Sequence, residues 1–152
     1  MKKVILAIGL LGLFGAAAQA DEVELAPSAL VAIRQAGFAL QGANLGDLKR
    51  AVTGGVTEVK PFKANAEAIL AWAKVIPTLF PKGTDQASGQ ETKALPAAWS
   101  DRAGFEKAAA GLTAAAETLV KAADANDAPA FATAFKATAD ACGGCHRPYR
   151  AK

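Results

Sequence analysis

The sequence predicts an all-α protein that folds as one antiparallel four-helix bundle with up-down-up-down connections. Two observations lead to this prediction. Beyond residue 26 the chain lacks the alternating Val, Ile and Thr runs of strands, and four alanine-rich stretches are separated by glycine and proline. Within these stretches, apolar residues recur at intervals of three and four, as on one face of a helix. A length of 152 residues suffices for one such domain with its own core.

The N-terminal twenty residues have the pattern of a secretory signal peptide. Lys2 and Lys3 precede an apolar segment over residues 4–14, and the small-residue sequence Ala18-Gln19-Ala20 follows. Cleavage is predicted after Ala20, which leaves a mature domain over residues 21–152. The apolar segment is shorter than the ~18–20 residues that span a bilayer, although retention as an N-terminal anchor is the alternative. The pattern thus predicts Sec export to a bacterial periplasm and no membrane attachment after cleavage.

The first two predicted helices are separated by Gly54 and Gly55. The first begins at Pro27, a residue favoured in the first helical turn, and runs to about Val52. Its stripe of apolar positions, which also includes an arginine, consists of Val31, Arg34, Phe38, Leu45, Leu48 and Val52. The second helix follows Pro61 and ends before Pro77. Its apolar positions are Phe62, Ala66, Ile69, Ala73 and Ile76.

The last two predicted helices follow a longer crossover, from about Pro77 to Trp99. The third helix opens at Ser100-Asp101, and a seam of the coiled-coil type is predicted at Phe105, Ala108, Leu112, Ala115, Leu119 and Ala122. The fourth starts near residues 127–129 and carries Phe131 and Phe135 toward the C-terminus. The aromatic residues at the ends of the crossover, Phe80 and Trp99, are expected to pack it onto the bundle.

The chemistry is concentrated in Cys142-Gly143-Gly144-Cys145-His146, which contains both cysteines and the only histidine of the chain. C-x-x-C-H is the attachment motif of a c-type haem, in which two thiols add to the vinyl groups and the adjacent imidazole binds the iron. Two residues between the cysteines span the porphyrin edge and bring His146 under the iron. The motif therefore predicts one covalently attached haem c per chain, with His146 as the axial iron ligand.

Three other chemistries use cysteine pairs of this kind. A thioredoxin-like dithiol opens a helix in a βαβ unit, whereas this motif closes the last helix of an all-α chain. A structural zinc site needs four ligands, and the sequence has only three Cys and His residues. A plain disulfide between Cys142 and Cys145 explains the cysteines but not the histidine, and it is the main remaining alternative.

The charge balance argues against two classes of partner. The chain has 17 Lys and Arg against 14 Asp and Glu, and removal of Lys2 and Lys3 gives 15 − 14 = +1 for the mature domain. So small a net charge favours neither nucleic-acid binding nor a polybasic membrane anchor.

The chain resembles the cytochrome c′ family, the class II c-type cytochromes. The resemblance rests on the C-terminal CGGCHRPYR, the segments FPKGT and PAAW, and RQAGFAL in the first helix, and it extends over residues 26–152. It implies an antiparallel four-helix bundle that holds haem at one end, commonly as a homodimer. The position of C-x-x-C-H at the extreme C-terminus is distinctive, since class I cytochromes carry it near the N-terminus.

The resemblance also assigns residues around the haem. It puts Phe38, four residues after Arg34, on the open side of the iron, and Arg150 on the proximal side. Arg34 is expected to meet the haem propionates, since an unpaired buried guanidinium is costly, and Gln35 is a further candidate there. Phe38 as plain core and Arg34 as a solvated arginine are the alternatives. For Arg150, Pro148 interrupts the helical spacing from His146.

The sixth coordination position follows from the residue inventory. Met1, the only Met, leaves with the signal peptide, and His146 is the only His, so the iron is predicted to be five-coordinate and high-spin. A lysine ligand would have to lose its proton in an apolar pocket, which is disfavoured. This favours a non-enzymatic protein that binds NO, and CO more weakly. The alternative is a dedicated electron carrier that meets redox partner proteins. A peroxidase-like enzyme is disfavoured, because the sequence does not supply the distal His or carboxylate that O–O cleavage would use.

A homodimer is also predicted, through the first two helices. Small residues that the sequence suggests to be exposed would allow close approach of two copies: Ala36, Gly37, Gly42 and Ala43.

Overall fold

The structure is a computed structural model and describes residues 25–152, which form a bundle of four long helices. The long helices are α1 (Pro27–Thr53), α2 (Lys63–Val75), α4 (Arg102–Asp124) and α5 (Ala128–Tyr149), and a short helix, α3 (Ala97–Ser100), lies before α4. The predicted fold class is thus confirmed. The signal peptide and its cleavage site lie outside the described residues. Among the described helices, none combines the length and apolarity needed to cross a membrane.

Local capping residues set the helix starts close to the predicted positions. Pro27 occupies the first turn of α1. The Asp101 carboxylate accepts a hydrogen bond from the Gly104 amide at 3.1 Å, and the Asp127 carboxylate accepts one from Ala130 at 3.0 Å. These aspartates satisfy amides that lack a partner in the first turn of α4 and α5.

The core lies between α2, α4 and α5. Its largest fully buried side chains on α4 and α5 are Phe105, Leu119 and Phe131. Ala108 and Ala115 of the predicted seam are only half-buried, whereas their neighbours Ala109 and Ala116 are buried. The other predicted seam positions, Phe105, Leu112, Leu119 and Ala122, are buried. Because α4 packs against both α2 and α5, its buried face is broader than a single seam.

The crossover between α2 and α4 packs on the bundle through the two predicted aromatic residues. Phe80 is buried, and its ring centroid lies 5.5 Å from that of Trp99 and 4.7 Å from that of Phe105. The indole Nε1 of Trp99 donates to the carbonyl of Pro81 at 2.9 Å. Short 3₁₀ turns at Ile76–Leu79 and Gln86–Ser88 shape the rest of this segment.

The end of the crossover pairs with the residues that follow the C-x-x-C-H motif. The Leu95 amide donates to the Tyr149 carbonyl at 2.9 Å, and the Ala151 amide donates to the Lys93 carbonyl at 2.8 Å. Helix α5 continues through Pro148 to Tyr149, because a proline in the last turn removes only one helical hydrogen bond. The crossover and the C-terminal residues therefore close the same end of the bundle.

Candidate cofactor site

The C-x-x-C-H motif lies in the last two turns of α5, at this closed end. Cys142, Cys145 and His146 all line one cavity, and both cysteines are free thiols. Burial raises the pKa of each thiol, so both are protonated at neutral pH. Burial, with a smaller contribution from the charge of Arg150, lowers the pKa of His146 and favours the neutral imidazole that can bind a metal.

Two adjoining cavities form a slot between α1 and α5. Their volumes are about 590 Å³ and about 100 Å³, and both are lined by Phe38, Gly42, Cys145 and His146. The larger cavity alone is within the ~300–1,000 Å³ range of cofactor and ligand pockets. The larger cavity includes the polar and charged side chains of the slot, whereas the smaller cavity is lined mainly by apolar side chains such as Leu45, Ile69 and Leu112.

Phe38 on α1 lies opposite the motif, and its place on the open side of a haem, which the resemblance implies, stays a prediction. Its half-buried ring contacts His146 edge to face, with centroids 6.2 Å apart and planes at 75°. It makes a second edge-to-face contact with Trp72 of α2, at 5.7 Å and 84°. An apolar ring from the first helix thus faces the only imidazole of the chain.

Trp72 is a site residue that the sequence analysis missed. It lines the smaller cavity, and its indole lies directly on the backbone of Gly37, where a Cβ would collide with three ring atoms. Gly37 is therefore half-buried under α2, and its predicted place among exposed residues of a dimer surface is wrong. Residue spacing could have indicated Trp72, which lies one turn after Ile69 on the apolar face of α2.

Arg34 is buried, with 2% of its surface exposed, and it finds hydrogen-bond acceptors within the protein. Its guanidinium donates to the hydroxyl of Thr92 at 2.7 Å, and to the carbonyl and hydroxyl of Thr84 at 2.8 Å and 3.2 Å. It also stacks 4.4 Å from the ring centroid of Phe80. The crossover thus supplies the hydrogen-bond acceptors for Arg34 that the sequence analysis expects from the haem propionates. Because Arg34 also lines the larger cavity, its contact with the propionates stays a prediction.

Gln35 and Arg150 line the same larger cavity. The Gln35 side-chain amide donates to the Glu91 carbonyl at 2.8 Å, so it too is engaged by the crossover. Arg150 lies just beyond α5 in an extended conformation, with φ −134° and ψ 132°. Helical stacking on His146 therefore does not apply to it, yet it shares the cavity wall with that imidazole.

The residues of the slot fit a haem. Two thiols and one imidazole lie on the same wall, which is the donor set of the c-type attachment. The opposite wall is an apolar surface that includes Phe38, Leu45 and Trp72. The indole Nε1 of Trp72 is buried and has no hydrogen-bond acceptor within residues 25–152. A pocket with an unpaired hydrogen-bond donor and an apolar wall suits a large, mainly apolar group that carries a few polar atoms.

Comparisons with known proteins agree with this chemistry. A family model described as cytochrome c′ matches residues 29–150. Cytochrome c′ of Allochromatium vinosum is 34% identical over 148 residues, covering 96% of this chain and 95% of the relative. A structure of a cytochrome c′ with ligand-controlled dimer dissociation gives a TM-score of 0.78 at 32% identity, covering 85% of this chain and 99% of that one.

A further structural neighbour is the nitric oxide complex of a cytochrome c′ variant from Alcaligenes xylosoxidans. It gives a TM-score of 0.76 at 29% identity, and covers 85% of this chain and 99% of that chain. A four-helix bundle with a C-terminal C-x-x-C-H motif defines a bundle-type c-type cytochrome. The chain belongs to the cytochrome c′ family, and its cofactor is covalently attached haem c.

Proposed function

We propose that Cys142 and Cys145 carry the haem as thioethers and that the imidazole of His146 binds its iron. The common cavity wall of these three side chains supports the assignment. When bound, the haem supplies an iron that binds diatomic gases and exchanges single electrons. The protein supplies the attachment, the axial imidazole and the walls of the slot.

The function that the geometry supports best is reversible binding of NO, and more weakly of CO, at a five-coordinate, high-spin iron. The observation that carries this proposal is Phe38, an apolar ring that faces His146 across the slot at 6.2 Å between centroids. The chain has no second His, and its only Met is Met1. The side opposite His146 therefore has no strong protein ligand. The nitric oxide complex of the Alcaligenes xylosoxidans relative supports the choice of gas.

The pocket also favours a binding protein over an enzyme. Apart from Gln41, the smaller cavity next to Phe38 and Trp72 is lined by apolar side chains and the attachment motif. With His146 taken as the iron ligand, the other residues that line this cavity supply no general acid or base for O–O cleavage. Together with the signal-peptide pattern of residues 1–20, this supports a periplasmic, non-enzymatic gas-binding cytochrome.

The test is a set of absorption spectra of the reduced protein, expressed with a c-type maturation system. We expect a high-spin spectrum that changes with NO and with CO, and haem that stays with the protein after acid-acetone extraction. Cys142→Ser/Cys145→Ser is the matched control and should lose its haem on extraction. A low-spin spectrum that neither gas changes would overturn the proposal in favour of the dedicated electron carrier.

The same proposal includes a homodimer formed through α1 and α2. Ile33 and Leu40 lie seven residues apart on α1 and are 41% and 59% exposed, and the small residues Ala36 and Ala43 are exposed on the same helix. Large exposed apolar residues in one stripe are typical of a contact surface between copies. The dimeric relative with ligand-controlled dissociation is consistent with this interface.

A further inference from the structure

The slot contains an aromatic residue whose presence core packing alone does not explain. The indole Nε1 of Trp72 is buried without an acceptor in the described part of the chain, and an unsatisfied buried donor is costly. An apolar side chain of similar size would fill the same space without this cost. The position of the ring therefore calls for another reason.

The backbone of α1 is built to receive this ring. The atoms Cη2, Cζ2 and Cζ3 of Trp72 occupy the space where any side chain at position 37 would begin. Only glycine fits under the indole, although glycine in the middle of a helix is unfavourable. Gly37 thus permits a close approach that fixes the indole against α1, immediately beside Phe38.

Trp72 in turn limits where the Phe38 ring can go. The two rings meet edge to face at 5.7 Å, and Phe38 meets His146 at 6.2 Å. On the side of Trp72 the free space is about 100 Å³, against about 590 Å³ in the larger cavity. If an incoming ligand pushes the Phe38 ring toward Trp72, the ring meets the indole, whose position is set by its contact with Gly37.

We propose that Trp72, seated on Gly37, is a positioning residue that fixes the Phe38 ring over the open side of the slot and so lowers the affinity for CO. The inference rests on the proposed gas-binding function and names the element that sets its selectivity. Trp72 acts only through Phe38. Gly37 acts only through Trp72.

The first experiment measures CO equilibrium binding to the reduced holoprotein. Trp72→Leu should raise CO affinity by about three- to tenfold, the strength of one aromatic pair. Trp99→Leu is the matched control, because Trp99 is the other tryptophan, packs on the crossover and lines neither cavity. Its CO affinity should equal that of the unmodified protein. In a Phe38→Ala background, Trp72→Leu should have no further effect on CO affinity.

The second experiment needs no gas. It tests the contact between Trp72 and Gly37 by a double-mutant cycle in thermal unfolding. Gly37→Ala should lower Tm in the unmodified protein, because the new methyl group collides with the indole. In the Trp72→Leu background the same substitution should no longer lower Tm, since the colliding ring is gone. Crystal structures of the two holoproteins should show the Phe38 ring displaced in Trp72→Leu relative to its position in the unmodified protein.

The outcomes separate the inference from the function on which it rests. If the unmodified holoprotein binds neither CO nor NO, both are overturned. If it binds CO and Phe38→Ala raises the affinity while Trp72→Leu leaves it unchanged, only the role of Trp72 is overturned. If Trp72→Leu changes CO affinity equally with and without Phe38, the positioning role of Trp72 is also overturned, because Trp72 would then act directly on the ligand. If Gly37→Ala lowers Tm equally in the Trp72→Leu background, the contact between Trp72 and Gly37 is not what fixes the indole, and the inference is refuted.

Discussion

In the proposed function, Phe38 is the residue on which gas selectivity depends. Its half-buried ring lies between α1 and the motif on α5. In the proposed arrangement, a CO molecule that binds upright on the haem has to displace this ring. Repacking a buried aromatic costs on the order of 1–3 kcal/mol. Phe38→Ala should therefore raise CO affinity by roughly ten- to a hundredfold, measured by equilibrium titration of the reduced protein.

The same substitution should change NO binding differently. NO binds ferrous iron much more strongly, so its association rate should change more than its equilibrium affinity. The cavity left by the ring should lower the stability of the haem-free chain by about 3 kcal/mol. Unchanged CO affinity in Phe38→Ala would show that another residue guards the site, with Gln35 and Leu45 the next to test.

Tyr149 gives the protein a pH-dependent component of stability. Its phenol donates to the Asp101 carboxylate at 2.8 Å, and this hydrogen bond, with burial, raises the pKa of Tyr149 to about 12. In the unfolded chain the phenol loses its proton near pH ~10. The contribution is therefore present in full below about pH 10 and is lost as the pH rises toward about 12.

A comparison of the unmodified protein with Tyr149→Phe tests this dependence. Denaturant unfolding followed by circular dichroism should show that the stability difference between the two proteins is constant from neutral pH to about pH 10 and shrinks above it. The variant lacks the phenol, so other groups that titrate in this range cancel in the difference. A difference that stays constant up to pH ~12 would contradict the shift.

At the scale of the elements, the crossover depends on one arginine of α1. Arg34 donates hydrogen bonds to Thr84 and Thr92, and it stacks on Phe80. Arg34→Leu should lower the free energy of unfolding by roughly 2–4 kcal/mol, since it removes charged hydrogen bonds and leaves buried acceptors without a donor. Protease cleavage within residues 81–95 should become faster. Urea unfolding and limited proteolysis are the measurements.

Arg50→Leu is the control for a charge removed from the same helix. Arg50 is exposed and pairs with Asp47 on the surface, so its loss should change stability by less than about 0.5 kcal/mol. Equal effects of the two substitutions would show that the crossover does not depend on Arg34.

The elements that the sequence predicted well are those with local signals. Pro27, Asp101 and Asp127 mark the starts of α1, α4 and α5 because capping involves residues within one turn. The donor set of the motif is equally local. The partners of Arg34 and the seat of Trp72 on Gly37 join segments far apart in the chain, and no spacing rule reveals them. They depend on how the crossover and α2 pack against α1.

At the scale of the whole molecule, the exposed stripe of α1 predicts association. Leu40→Lys should convert the dimer into a monomer, because it buries a charge at the centre of the proposed interface. Sedimentation at high micromolar concentration measures the change. Val56→Lys replaces another exposed apolar residue, outside α1, and should leave the dimer intact. A monomeric unmodified protein at this concentration would refute the interface.

The two sides of the slot come from opposite ends of the chain. Phe38 belongs to α1 and the attachment motif to α5, and the haem lies between them in the proposed arrangement. In this arrangement, ligand preference depends on α1 and on the α2 residue packed against it, whereas cofactor attachment depends on α5. Substitutions at Phe38 and at its neighbour Trp72 can therefore alter which gas is admitted while the attachment motif at the other end of the chain stays unchanged.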